Sequence, residues 1–459
     1  MRYGLPSVAR ICLFQLLTLG LISPGQLVAQ DSPPAGSMTF ALTGDAIISR
    51  RLSPHDEPEF LAMIEAIRNS DVAFTNLEIL FRNPEDGYPA AHSGGTWMTA
   101  EPFLAEELVW AGFDIVSRAN NHTMDYAAGG LRSTTRWLDA AGLVHAGAGE
   151  NLAEARSPAY IETRGGRVAL ISVASTFSDE DRAGPQRSDL RGRPGLSPLR
   201  YNTTYEVTDE TLSRLRSVAE AAGLRTGGDE NRMGLLGTNF AVGSDLGRHT
   251  SAHQGDLQDI LAVVQDAKRQ ADWVIVTSHT HESDESREIP AEFFVEFSRA
   301  VVDAGADMVV GHGPHILRGI EIYQGKPIFY SLANFLMQNE TIRFLPGDMY
   351  DRYGLDADGL PGELQDVRIE QSSTGGFPGN RAYWESVVAF PRFEDGSLAQ
   401  IELMPIVLGF GLPRPQRGRP MAANSEDGRK IIEELAELSA PYGVTIEYDA
   451  RRNLGVIRQ

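Results

Sequence analysis

Apolar and polar positions change period in a regular way along residues 38–176. Residues 38–43 (MTFALT) form a short apolar run ending in Gly44-Asp45, and residues 58–69 carry apolar side chains at helical spacing. Residues 71–80 (DVAFTNLEIL) read as a strand, 101–111 as a helix with Pro102 in its first turn, and 113–117 as another strand. A helix over 129–140 stops at Gly142, and 168–174 reads as a strand. Short strands alternating with helices of ten or more residues predict βαβ units and a mostly parallel sheet.

Residues 178–255 break that rhythm. They are polar and rich in Pro and Gly, with one helix at about 209–222, and predict a long insertion that covers or flanks a site. The alternation resumes with a helix at 256–269, a strand at 273–278, a helix at 291–304 and a strand at 308–310. Residues 320–323 and 327–331 predict a hairpin around Gln324-Gly325-Lys326, and 340–380 read as irregular. Strands at 383–391 and 398–407, a helix at 428–438 and a closing hairpin complete the chain, which has no internal repeat. The organisation expected is a main domain over 38–340, with 341–459 as a C-terminal β/α extension packing on it.

Composition narrows the class. The 459 residues are 42% hydrophobic and 22% charged, which excludes global disorder and fibrous structure. The formal charge is 41 − 62 = −21, and an acidic surface argues against a nucleic-acid partner.

Residues 1–30 have the layout of a signal peptide: Arg2 and Arg10, an apolar run over 11–22, then Pro24-Gly25 and a small residue at Ala29. Cleavage near Ala29 or Gln30 would place the mature chain in the periplasm or outside the cell; retention as an anchor helix is the alternative. The apolar run is short for a membrane span, and no later segment has enough uninterrupted apolar residues for one. Cys12, inside this segment, is the only cysteine, so a mature chain has no disulfide, thiolate metal site or cysteine nucleophile.

The candidate chemistry gathers at strand ends. His122, His279 with His281, and His312 with His315 each lie just past a predicted strand; Asp45, Asn76 and Glu78 lie near the ends of theirs. In an open α/β sheet, ligands bind in the crevice outside those ends. Each signal alone has a plain alternative. Asp45 could cap a helix, Glu78 could be solvated, Asp125 could orient His122 or cap the helix that follows, and each His could be structural. Five segments converging on one edge instead indicate a polar catalytic or metal-binding cleft. Imidazole and carboxylate donors without thiolate suit Zn, Mn, Fe or Ni. Asn120 and Asn121 favour tight, partly left-handed backbone before His122. Gly313 and Pro314 bend and fix the backbone between His312 and His315. Glu282 follows His281, and Arg318 with Glu321 reads as either a surface pair or a lining of the cleft.

Residues 40–45 (FALTGD), Asn76-Leu77-Glu78, 119–125 (ANNHTMD), 146–149 (AGAG), 193–200 (RPGLSPLR), 311–315 (GHGPH) and 331–335 (SLANF) resemble the CapA / poly-γ-glutamate capsule-synthesis family. That family is similar in fold to calcineurin-like metallophosphoesterases. The resemblance covers roughly 38–340 and implies an α/β/β/α sandwich: two sheets flanked by helices, with one or two divalent ions (Mn, Fe or Zn) at the strand ends. It implies Asp45, Glu78, Asn121, His279, His312 and His315 as metal ligands, with Asn76 beside Glu78. It implies His122 as the group acting on the scissile bond, supported by Asp125. Asn76, Asn120, His281, Glu282 and Asn334 are the expected substrate-binding positions. Three departures stand out: Ile47 where a phosphoesterase has His, Glu78 in Asn-Leu-Glu where it has Asp beside Gly, and two residues between His312 and His315 where it has one.

Two readings follow. One is an exported hydrolase using metal-activated water on a phosphoester or γ-glutamyl bond of an envelope polymer, whether poly-γ-glutamate or a polysaccharide. The other is a non-catalytic component of polymer binding or export that retains the fold. A periplasmic solute-binding module fits poorly, since small-molecule binders rarely need five converging histidines. The sequence carries no signal of oligomeric state.

Overall fold

The computed structural model describes residues 37–458, apart from 94, 357, 374 and 375. The signal-like segment with Cys12 and its expected cleavage point lies outside the described residues.

The first sheet is built on β1 (Ser37–Ile47), β2 (Val72–Leu77), β3 (Ile115–Ser117) and β4 (Val144–Ala146), paired in parallel in that order. Three helices connect them: α1 (Pro58–Arg68), α2 (Leu104–Ala111) and α3 (Ala127–Ala141). The second sheet holds β5 (Ala159–Thr163), β6 (Gly166–Ala174), β7 (Trp273–His279), β8 (Met308–His312), β9 (Leu317–Tyr323) and β10 (Lys326–Leu332). Its order is β9-β10-β8-β7-β6-β5, with the inner four parallel. Between β6 and β8 run α4 (Gln254–Gln270) and α5 (Glu292–Asp303). β11 (Asn334–Met337) returns to the first sheet beside the end of β1. β12 (Glu385–Glu394) pairs antiparallel with the start of β1, and β13 (Ser397–Val407) pairs with β12. Beyond α6 (Ser425–Ser439), β14 (Glu447–Asp449) and β15 (Leu454–Arg458) finish that edge.

Strand periodicity explains the layering. On β1, Phe40 and Leu42 enter a core between the two sheets, while Ala41 faces the core under α1 and α2. β7 does the same: Trp273 and Ile275 point between the sheets, and Val274 and Val276 point toward α4 and α5. Strands apolar on both faces must be covered on both sides, so the result is the expected four-layer α/β/β/α sandwich. Phe40 packs edge-to-face on Trp273 and on Phe393 of β12, each at 5.9 Å between ring centroids. Asn424 caps α6 by accepting from the Glu426 and Asp427 amides, and Ile431, Ile432 and Leu435 then close the between-sheet core.

The structure adds to the sequence reading in three places. Residues 340–380 are not irregular: they hold helices Gly347–Tyr353, Pro361–Glu370 and Gly376–Gly379. Their few apolar anchors, Met349, Tyr350 and Leu364, join a small satellite cluster with Leu80, Trp97 and Tyr126, too sparse to show a helical period. The 178–255 stretch is ordered, with strands over Tyr201–Val207, Arg232–Leu235, Thr238–Val242 and Gly247–Ala252 in a five-stranded sheet and helix Asp209–Ala221 packed on it. The strand over Ala159–Thr163, unread in the sequence, pairs antiparallel with β6.

Candidate metal centre

Register delivers the polar residues to one edge. Asp45, Asn76 and Ser117 are neighbours across β1, β2 and β3. Across the second sheet, His279 and His312 are neighbours at the ends of β7 and β8. Gly44 makes the approach possible. A Cβ there would lie 1.9 Å from the Ala333 carbonyl oxygen, which instead accepts the Asp45 amide at 2.9 Å. The pairing of β1 with β2 shifts register at this point, which turns Asp45 into the cleft.

Asp45 is fully buried and anchored through both oxygens. Oδ1 accepts from Asn76 Nδ2 at 2.8 Å, and Oδ2 accepts from the Gly313 amide at 3.1 Å. His315 Nδ1 lies 3.1 Å from the same Oδ2 and 2.9 Å from Asn334 Oδ1. Both neighbours are acceptors, so Nδ1 carries the proton and Nε2 presents a lone pair. His315 holds φ = 63°, an uncommon conformation for a residue with a side chain. Such strain costs on the order of 1–3 kcal/mol and concentrates at functional sites.

Glu78 is the centre of the cluster. It is fully buried, and neither carboxylate oxygen has a hydrogen-bond partner. Its Oε1 lies 3.6 Å from His279 Nε2, 3.7 Å from His315 Nε2 and 3.8 Å from His122 Nε2. Burial, then the neighbouring Asp45 charge, pushes the Glu78 carboxyl well above the usual range. Burial also raises Asp45, but His315, His312 and Asn76 outweigh it and hold that carboxyl below its ordinary value.

The imidazoles crowd around these acids. His279 Nδ1 lies 3.0 Å from His312 Nδ1 and 3.3 Å from Asn76 Nδ2; its Nε2 lies 2.9 Å from His281 Nε2. Burial, reinforced by mutual repulsion of the rings, pushes His279 and His281 well below the usual imidazole range. His312 falls to about 4, again chiefly through burial. These rings are therefore neutral, with lone pairs available, at pH 7. On the opposite side, His122 Nδ1 sits 2.8 Å from Asp125 Oδ2, and Nε2 faces the cleft.

This donor set fits a divalent cation. Asp45 with His279 and His312, Glu78 with His279 and His281, and Asp45 with Glu78 and His315 each place ligand atoms within 4.8 Å of one another. The Asn121 side-chain amide oxygen, Oδ1, is a further buried acceptor without a donor. Orphaned carboxylate oxygens facing imidazole lone pairs are costly unless a cation or a proton meets them.

The polar groups of the other expected positions are engaged within the protein. Asn120 bonds the Leu77 carbonyl (2.8 Å), Asn76 Oδ1 (3.4 Å) and, through its own Oδ1, the His122 amide (3.1 Å). Asn334 Nδ2 donates to the His315 carbonyl (3.2 Å) and the Tyr383 carbonyl (3.0 Å). Glu282 turns to Ser175 Oγ (2.6 Å) and Thr176 Oγ1 (3.0 Å), tying the end of β6 to the loop after β7. Ile47 is buried in the apolar core under α1 and α2. Arg318 and Glu321 do not form a surface pair. Arg318 is 0% exposed and donates to the carbonyls of Thr280, His281 and Arg287, whereas Glu321 pairs with Arg299 and accepts from Tyr330.

Two contributors escaped the sequence reading. Ser117 Oγ donates to Asn76 Oδ1 at 2.8 Å and lies 3.4 Å from His312 Nε2. Its signal was its place as the polar last residue of an apolar strand. Phe377 packs edge-on against His315 at 5.4 Å between centroids. It comes from the 340–380 stretch, where nothing in the pattern marked it.

The family model described as Bacterial capsule synthesis protein PGA_cap matches residues 39–339, which contain all of these ligand positions. This chain belongs to the bacterial capsule synthesis protein family. It is 39% identical over 434 residues to Uncharacterized protein y4sH of Sinorhizobium fredii (strain NBRC 101917 / NGR234), covering 92% of this chain and 93% of that one. It is 25% identical over 313 residues to Capsule biosynthesis protein CapA of Bacillus anthracis, covering 67% of this chain and 61% of that one. Among solved structures it is similar to Haemophilus influenzae NAD nucleotidase at 10% identity, with a TM-score of 0.35 over 87% of this chain and 62% of that one.

Proposed function

We propose that this family member is an exported, metal-dependent hydrolase acting on an envelope polymer during capsule or poly-γ-glutamate synthesis. Family membership and the name of the Bacillus anthracis relative support the polymer, and the leader-like residues 1–30 support export. One observation carries the chemistry: a buried Glu78 carboxylate without donors, on which three imidazole nitrogens converge.

Asp45, Glu78, Asn121, His279, His312 and His315 would hold one or two ions. A divalent cation there supplies Lewis acidity, making water nucleophilic near neutral pH and polarising the scissile bond. Asp125 accepts the Nδ1–H of His122 and would stabilise the imidazolium formed when Nε2, which faces the cleft, takes up a proton; that Nε2–H would then pass to a leaving group. Asn334 and Asp45 keep the His315 ring in one tautomer.

The test is turnover of bis(4-nitrophenyl) phosphate, 4-nitrophenyl phosphate and γ-glutamyl oligomers by metal-loaded and chelated protein. Metal-dependent turnover lost in Glu78→Gln supports the reading. Metal-loaded protein inert on all three contradicts it.

The buried, apolar Ile47 favours a second reading, a non-catalytic polymer-binding component. It requires polymer binding that survives His122→Ala, without turnover.

A further inference from the structure

His281 stands out among the imidazoles because its backbone is clamped on both sides. Its amide donates to Thr176 Oγ1 at 2.9 Å, and its carbonyl accepts from the buried Arg318 guanidinium at 3.2 Å. Arg318 also holds the Thr280 carbonyl at 3.3 Å, so two consecutive peptide units before the exposed turn are fixed by one side chain. The ring itself lies over Gly313. A Cβ on that residue would meet His281 Cδ2 and the Thr280 amide nitrogen, both at 2.9 Å, and Gly313 holds φ = 115°. The imidazole therefore occupies room that exists only because residue 313 has no side chain. From there its Nε2 reaches within 2.9 Å of His279 Nε2, with the donor-free Glu78 carboxylate completing the triangle.

Two explanations compete for that short nitrogen–nitrogen approach. In one, a neutral ring donates to the other, and Glu78 stays unsatisfied. In the other, both lone pairs and the carboxylate face a common point. Adjacent ligands of an octahedral ion with metal–nitrogen bonds of about 2.1 Å stand about 3 Å apart. Only the second explanation also satisfies Glu78.

We propose that His281 is a metal ligand, forming with His279 and Glu78 a nitrogen-rich centre, and that Thr176, Arg318 and Gly313 are its positioning device. The inference rests on the metal reading of the site given above. Two imidazoles and one carboxylate select borderline transition ions such as Zn²⁺, Co²⁺ or Fe²⁺ over Mg²⁺ and Ca²⁺.

The experiment is Co²⁺ titration of the full chain, followed by calorimetry and visible absorption, for the wild type, His281→Gly and His281→Gln, with His249→Ala as a control outside the cluster. Co²⁺ affinity at one site should fall at least tenfold in both His281 variants, with an altered absorption band, and stay unchanged in His249→Ala. Free imidazole should restore the band in His281→Gly by filling the space over Gly313. Unchanged affinity and spectrum in a folded His281 variant overturns this assignment alone. A wild type that takes up no Co²⁺ overturns both it and the metal reading. If His281→Gly fails to fold, His281→Gln decides.

Discussion

His122 Nδ1 lies 2.8 Å from Oδ2 of Asp125, and both side chains are buried at the mouth of the cluster. The carboxylate accepts the Nδ1 proton, so the ring turns Nε2 toward Glu78, 3.8 Å away. Asp125 also accepts the Met98 amide at 2.6 Å, which keeps the pair in place from the opposite side.

Asp125→Asn should therefore separate chemistry from metal binding. The amide can present its NH₂ to Nδ1, which favours the other tautomer. Turnover should fall on the order of 10²–10⁴-fold. Metal content should stay at the wild-type level. Parallel loss of metal would show instead that Asp125 holds the ligand cage.

Metal removal should cost stability. The carboxylates and imidazoles of the cluster meet only in the folded chain, so an ion adds RT ln(1 + [L]/Kd), about 2.7 kcal/mol at 100 times Kd. Chelation should lower the melting temperature of the wild type and leave that of Asp45→Ala unchanged. Equal shifts in both proteins would place the stabilising ion elsewhere.

Arg318→Met should destabilise the loop after β7. Removing the guanidinium leaves the carbonyls of Thr280, His281 and Arg287 without their donor. The expected loss is about 3 kcal/mol by chemical denaturation. Arg318→Lys should recover only part of it, because one ammonium cannot span three carbonyls.

Asp256 provides a pH test away from the cluster. Its buried carboxylate accepts from Arg156 Nη2 at 2.7 Å and from Arg200 Nε at 2.7 Å, joining the start of α4 to two other segments. Burial raises its pKa, but Arg200 and Arg156 outweigh burial and leave it below the usual carboxylate value. A depressed carboxylate stabilises the fold above its unfolded pKa of about 3.9, and loses that contribution as pH falls through the folded value. Asp256→Asn should cost about 3 kcal/mol at pH 7. The gap from wild type should close as pH drops below about 4. A gap of constant size would mean that the charge is irrelevant.

Much of this was legible because the core strands are apolar on both faces. Phe40 and Ala41 read as one run, and their opposite burial follows from period two. The strand-end histidines read as a cluster for the same reason: a parallel sheet brings its C-terminal ends together. What escaped depends on tertiary partners. Arg318 looked solvated because its three acceptors come from a loop some thirty or more residues away. The helices at 347–353 and 361–370 escaped because they bury only a few side chains each. Ser117 was hidden by being one polar residue at a strand end, where a bland role is the usual one.

The central claim is that the Glu78 cluster holds a divalent ion. Elemental analysis of the purified full chain by ICP-MS tests it most directly, with Glu78→Gln alongside. One to two equivalents of Mn, Fe or Zn in the wild type, falling by at least one in the variant, is the predicted result. A wild type free of metal, even after soaking with each ion, would contradict the account.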